Sequence, residues 1–234
     1  MPESEFDDTW VVIPVFNEAP VLETTLRELT SLFPHVCVVD DASSDNSSTI
    51  AQTFTGQGVR LLNHPFNLGQ GAALQTGIAY VLQDPLMKRL VTFDADGQHR
   101  VQDAAAIARR VDPVHNTGPG LDVVLASRFI DGAGQMGGLK RLVLRLAVAY
   151  TNLSVRTKLT DTHNGLRAMN HWAASRLRIS QNGMAHATEI LEQVVAMKAR
   201  YAEHPVIINY SPYAKAKGQS LLNSVNILVD LLLR

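Results

Sequence analysis

Cysteine is nearly absent. Cys37 is the one copy in 234 residues, which excludes an internal disulfide and any thiolate metal cluster. A charge excess of either sign is also missing. Lys and Arg number 21 against 22 Asp and Glu, a formal net charge of −1, so no global field draws the chain toward nucleic acid. No apolar run reaches the roughly 18 residues that a membrane-spanning helix needs. The opening Met1-Pro2-Glu3-Ser4-Glu5-Phe6-Asp7-Asp8 is acidic where a signal peptide is basic. A cytoplasmic location is therefore expected, either soluble or peripheral on the cytoplasmic face of a membrane. Neither H-E-x-x-H nor G-x-S-x-G occurs, so a zinc protease and a serine hydrolase have no support. What the chain does have is core material, with 46% hydrophobic residues, and a length that fits one large domain or one domain with an appendage.

Short apolar, β-branched runs alternate with helical patterns. The runs predict strands at 10–14, 36–39, 59–62, 90–93, 123–126 and 206–210. Helices are predicted at 17–32 and 47–54, after the Asn67–Gly71 loop through 82, and at 103–111, 139–155, 188–200 and from 221 onward. This alternation predicts an α/β fold with a mostly parallel central sheet and helices on both faces. Ligands bind such sheets at the carboxyl ends of the strands. Polar and acidic residues gather there, after Ile13, Val39, Phe93 and Ala126.

Asp94-Ala95-Asp96 is the sharpest motif. Two carboxylates at i and i+2 past a buried strand can hold a divalent cation, because Mg²⁺ and Mn²⁺ take oxygen ligands, typically one or two carboxylates plus substrate phosphates. The competing reading is a solvated turn. Asp40-Asp41, with Asp45, forms a second acidic cluster, which ribose hydroxyls or a base N–H would satisfy; a helix cap from Ser43 or Ser44 is compatible with it. Asn67-Leu68-Gly69-Gln70-Gly71 lacks the third glycine of a dinucleotide fingerprint, since Leu74 stands there. It reads as a tight turn with close helix packing, or as backbone that lets a nucleotide approach. Arg128, Arg141, Arg145, Lys215 and Lys217 are phosphate-contact candidates, or else solvated charges. His99 and His163 read as site neighbours.

In order, these elements resemble glycosyltransferase family 2 with the GT-A fold. They are Val12–Glu18, Val38–Asp45, Asn67–Gly71 with Gly77, Thr92–His99 and Ala126–Phe129. Asp161–Arg167 and Lys217–Ser220 are similar to the polyprenol-phosphate sugar synthase branch. The resemblance covers roughly residues 10 to 220. It implies a single GT-A domain over 1–234, with a nucleotide-sugar-binding, Rossmann-like half at 10–130, an acceptor-side half at 131–220 and an apolar helix at 221–234. It also implies an inverting transfer from a UDP- or GDP-sugar to a polyprenyl phosphate, with Mg²⁺ or Mn²⁺ as cofactor. By position, Pro14, Phe16, Glu18, Asp40 and Asp41 would line the nucleotide pocket, with Gly71 and Ala95. Asp94, Asp96 and Gln98 would form the metal and diphosphate site. Arg128 and Arg141 would lie near the donor and acceptor phosphates, and Lys217 and Ser220 in a loop over the diphosphate.

Three alternatives stand beside this reading. Transfer to a saccharide hydroxyl would need a base, with Asp161 or Asp96 the first candidates. A sugar-nucleotide-binding subunit would bind without turnover. A phosphotransferase using Asp94 leaves the Asp40 cluster unexplained. In the tail, Leu221, Leu222, Val225, Leu228, Val229 and Leu232 share one face at helical spacing. That face fits peripheral membrane contact, or packing on the chain's own core or on a second copy in a homo-oligomer.

Overall fold

The computed structural model describes residues 4–130, 148–149, 151–153, 155–209 and 213. Arg141, Arg145, Lys215, Lys217, Ser220 and the 221–234 segment lie outside the described residues, as does most of the helical pattern at 139–155.

The sheet has seven strands: β1 (Thr9–Val15), β2 (His35–Asp40), β3 (Val59–Asn63), β4 (Arg89–Thr92), β5 (Val123–Ser127), β6 (Arg167–Asn170) and β7 (Tyr201–Pro205). Their order is β3-β2-β1-β4-β6-β5-β7. Every neighbouring pair is parallel except at β6, which runs antiparallel to both β4 and β5. The named helices are α1 (Ala19–Thr30), α2 (Ser47–Thr53), α3 (Gln70–Val81), α4 (Val101–Arg109), α5 (His171–Ala174) and α6 (His186–Ala196).

The apolar runs are continuous because both faces of the sheet are covered. The side-chain period of two then divides each run. Val11, Ile13 and Val15 of β1, with Val36 and Val38 of β2, join the core that holds Leu22, Leu26 and Leu29 of α1 and Ile107 of α4. Trp10 and Val12, with Cys37 and Val39, face the opposite core, with Leu74 and Ile78 of α3 and Ile190 and Leu191 of α6. Burial pushes the Cys37 thiol up to about 12, so it is a core residue rather than a nucleophile.

One expected strand is displaced and one strand was not expected. The strand expected at 206–210 lies instead at Tyr201–Pro205. These residues form a half-buried edge strand on β5, so their sequence is polar, while Val206, Ile207 and Ile208 continue past the end of the pairing. The second is β6, which no apolar run announces. Arg167-Ala168-Met169-Asn170 is fully buried between two strands, and neighbours supply the β geometry that its residue types do not favour.

Candidate active site

The sheet order reverses direction between β1 and β4, where ligands bind in folds of this kind. The β1–β4 ladder stops at Val12 and Thr92. Pro14, which has no N–H to give a ladder, is buried just beyond that point and pairs only toward β2. The strands diverge there, and the Asp94–Gln98 loop leaves the sheet.

The loops after β1 and β2 are tied together. Asn17 takes a positive φ of 55°, and its Oδ1 accepts from Ser44 N at 2.8 Å. Backbone N–H groups of Asn17, Glu18 and Ala19 donate to Ser43 Oγ, Ser47 Oγ and Asp45 Oδ2. The donors entering α1 are thereby satisfied by the second loop. Phe16 is left exposed at the mouth of the crevice. The single hydroxyl proton of Tyr213 is shared between Glu18 Oε2 at 2.9 Å and Asn17 O at 3.1 Å.

Adjacent Asp40 and Asp41 are both buried. Asp41 takes hydrogen bonds from Leu68 N and Gly69 N at 2.9 and 2.8 Å and contacts His64 Nδ1 at 2.7 Å. Its carboxylate thus organises the 64–69 loop. Asp40 Oδ2 accepts from Ser43 N at 3.3 Å, while Asp40 Oδ1 is buried without a partner among the described residues. Gly71 makes its close approach to protein: a Cβ there would meet the carbonyl of Gln181 and the side chain of His186.

On the other side of the crevice stands the acidic loop. Asp94 Oδ1 accepts from Gln70 Nε2 at 3.0 Å, and Asp94 Oδ2 lies 3.4 Å from His99 Nε2. Gly165 lies so close that a Cβ would collide with the Asp94 carboxylate. Burial alone would raise the Asp94 carboxyl, but the hydrogen bond and charge of His99, then the charges of Arg167 and His186, outweigh it and hold the group below its ordinary value. Asp96 behaves oppositely: burial, then the charge of Asp94, push it up to about 6. Asp96 accepts from Gln98 N at 3.0 Å and from Gln98 Nε2 in a short contact, which leaves Gln98 Oε1 as that side chain's oxygen donor. Ala95, between the two carboxylates, is buried.

Among the described residues no three His, Cys, Asp or Glu side chains group as a metal cage. Two carboxylates and an amide oxygen remain. That all-oxygen, incomplete set suits Mg²⁺ or Mn²⁺ completed by substrate phosphates.

Arg128 follows β5 and binds Asp161, with Nε to Oδ2 at 2.6 Å and Nη2 to Oδ1 at 3.3 Å. Burial would raise the Asp161 carboxyl, yet the charge and hydrogen bonds of Arg128 hold it below its ordinary value. His163, next to this pair, is pulled down to about 4 by burial.

The crevice therefore gathers Phe16, Glu18, Asp40, Asp94, Asp96 and Gln98 at one end of the sheet, and Arg128 and Asp161 at the end of β5. Sequence reasoning gave no role to Gln70, Gly165, Arg167 or Tyr213. Gln70 lies within Asn67–Gly71 and Gly165 within Asp161–Arg167, and only their approach to Asp94 distinguishes them. Arg167 ends the second of these motifs, but its burial follows from β6. Tyr213 carries no local signal.

A family model described as "Glycosyl transferase family 2" matches residues 10–174. An uncharacterized protein of Methanocaldococcus jannaschii is 31% identical, over 97% of this chain and 92% of its own. The UDP-N-acetylglucosamine–dolichyl-phosphate N-acetylglucosaminyltransferase of Methanococcus voltae is 27% identical, over 96% of this chain and 94% of its own. Among solved structures, glucosyl-3-phosphoglycerate synthase from Mycobacterium tuberculosis in complex with Mn²⁺ and UDP-glucose is similar, with a TM-score of 0.70 at 16% identity. That alignment covers 97% of this chain and 78% of the synthase, and the likeness is one of fold.

Proposed function

From the premise that the chain belongs to glycosyl transferase family 2, we propose that it moves a sugar from a UDP- or GDP-sugar to a polyprenyl phosphate, with inversion at the anomeric carbon. UDP-N-acetylglucosamine and a dolichyl-type phosphate, the donor and acceptor for which the Methanococcus voltae relative is named, are the first pair to test. One observation carries the reading. The paired carboxylates Asp94 and Asp96 follow β4 at the same end of the sheet at which Asp40 closes β2, and Asp40 keeps a buried carboxylate oxygen with no hydrogen-bond partner among the described residues. A buried acceptor left unsatisfied costs about 1–3 kcal/mol, and the imide N–H of a uracil or the N–H groups of a guanine would satisfy it.

Breaking the bond from the anomeric carbon to the diphosphate builds negative charge on the leaving group. Asp94 and Asp96 would hold Mg²⁺ or Mn²⁺, whose chemistry when bound is to neutralise that charge. Gln70, His99 and Gly165 fix Asp94 from behind, so its orientation is set before substrate arrives. A lipid phosphate is already ionised near neutral pH, so its oxygen attacks without a strong base. Two groups could serve a saccharide hydroxyl as base; Asp96, pushed up to about 6, would be occupied by the cation, which leaves Asp161. Asp161 is engaged by Arg128 at 2.6 Å and held below the usual carboxylate range, the wrong condition for a general base.

The test is a binding and transfer panel. UDP and GDP, each with and without Mn²⁺, are titrated while the melting temperature is followed. A nucleotide at 100 times its dissociation constant stabilises by about 2.7 kcal/mol. Transfer from UDP-N-acetylglucosamine to a polyprenyl phosphate is then compared with transfer to a saccharide. Binding without Mn²⁺ dependence, or transfer to the saccharide alone, refutes the reading.

A further inference from the structure

Arg167 is only 2% exposed and opens β6 opposite Thr92 on one side and Leu125 on the other. It therefore stands in the sheet where β4 gives way to the Asp94 loop and where β5 leads to Arg128. Its Nη1 is buried, with no hydrogen-bond partner among the described residues. A guanidinium keeps its proton in proteins, and a buried charge without a contact partner costs several kcal/mol. Such a group persists where nearby opposite charge compensates it. The carboxylates that act on Arg167 through space are Asp94 and Asp161. Asp161 already has Arg128 in contact, and Asp94 has no arginine or lysine within ion-pairing distance among the described residues.

Resting on the proposed metal and diphosphate site, we infer that Arg167 is a positioning residue that tunes the charge of that site, so that cation and diphosphate bind as a pair. Glu18, Asp40, Asp94, Asp96 and Asp161 outnumber Arg128 and Arg167 at this end of the sheet, so the site favours a cation and needs that cation before it attracts an anion. Without Arg167 the site is one charge more negative. The cation then binds more tightly alone, and the filled site offers the diphosphate one positive charge less. Arg167 thus weakens the cation's separate binding and strengthens the nucleotide's. Its burial keeps the charge unscreened by salt and out of direct contact with the ligand.

The sign of this effect separates it from a packing role. Free Mn²⁺ is followed by electron paramagnetic resonance in the full chain, alone and with UDP, for wild type, Arg167→Met and Arg167→Lys. In Arg167→Met, Mn²⁺ alone should bind at least about tenfold tighter, the least a unit charge several ångströms away exerts on a divalent ion even at the dielectric constant of water. UDP affinity at saturating Mn²⁺ should fall about as far, by the same Coulomb reasoning. Arg167→Lys, which keeps the charge, should return both toward wild type. Both affinities falling together, or neither moving, would overturn the inference. Arg167→Gln takes the place of Arg167→Met if that variant lacks a cooperative melt. If both neutral variants fail to fold while Arg167→Lys folds, the charge serves the fold and the inference is wrong. A wild-type chain that binds no Mn²⁺ sinks the metal site itself. A wild-type chain that binds it, with no response to Arg167, sinks this inference alone.

Discussion

Asp40 and Asp41 are neighbours in the chain, yet the carboxylate of Asp41 is held by Leu68, Gly69 and His64 while that of Asp40 keeps a buried oxygen without a partner among the described residues. One shapes the loop, and the other is the carboxylate proposed to meet the nucleotide. Asp41→Asn replaces an acceptor with a donor opposite backbone N–H groups and should cost about 2 kcal/mol of stability, read as a lower urea midpoint. Asp40→Asn should leave the midpoint nearly unchanged and weaken nucleotide binding about tenfold or more, since a charge-assisted hydrogen bond is worth about 1.5–3 kcal/mol. Equal losses in both measurements for both variants would show that the two carboxylates share one role.

Asp96→Asn should lower sugar transfer by about a hundredfold or more, the scale of losing electrostatic stabilisation at a leaving group. The melting temperature should stay close to wild type, because Asp96 bonds only to Gln98 among the described residues. Full activity in this variant, or in excess chelator, removes the metal mechanism.

Gly165→Ala places a methyl group into the carboxylate of Asp94. Forcing that contact should cost about 1–3 kcal/mol and abolish Mn²⁺ binding by displacing Asp94. A variant that binds Mn²⁺ like wild type would show that Asp94 has room to move.

Stability should decline on acidification through the titration of His163. Its folded pKa is lowered to about 4 by burial, against about 6.5 in an unfolded chain. The unfolded state therefore takes up the proton first. The contribution of His163 is fully present above about 6.5 and is lost as pH falls from there toward 4. Melting curves between pH 7 and pH 4 should show a shallower decline in His163→Gln than in wild type. Parallel curves would assign the acid sensitivity to other groups.

The 221–234 segment lies outside the described residues, but its spacing gives a wide apolar face. The full chain should float with anionic vesicles, helped by Lys215 and Lys217 at roughly 1 kcal/mol each, and a chain ending at Ser220 should not. If neither floats and truncation dissociates a dimer, the face is an oligomer contact.

The parallel half of the fold was legible because burial on both faces writes itself into β1, β2, β4 and β5 as unbroken apolar runs, each followed by polar residues where the crevice opens. Strands stabilised by their neighbours leave no such trace. β6 is four residues long with arginine and asparagine at its ends, and β7 is a polar edge whose apolar continuation drew the expectation five residues too far. The acidic loops were legible as residue types. The division of labour between Asp40 and Asp41, and the clamp of Gln70, His99 and Gly165 on Asp94, depend on contacts between segments far apart in sequence, which no local spacing records.

The reversed direction of β6 also governs the order in which the chain can assemble. Until residues 167–170 are in place, β4 has β1 on one side and an unpaired ladder on the other, and β5 has no route into the sheet except through β6. A nascent chain that has emerged only as far as residue 130 therefore carries an open edge of backbone donors and acceptors, the kind of surface that recruits other chains. Late pairing between distant segments is slow because the intervening loop must close first. The strand that joins β5 to the sheet also anchors the Gly165 segment beside Asp94, so a chain stalled before β6 is both without its complete site and prone to aggregate.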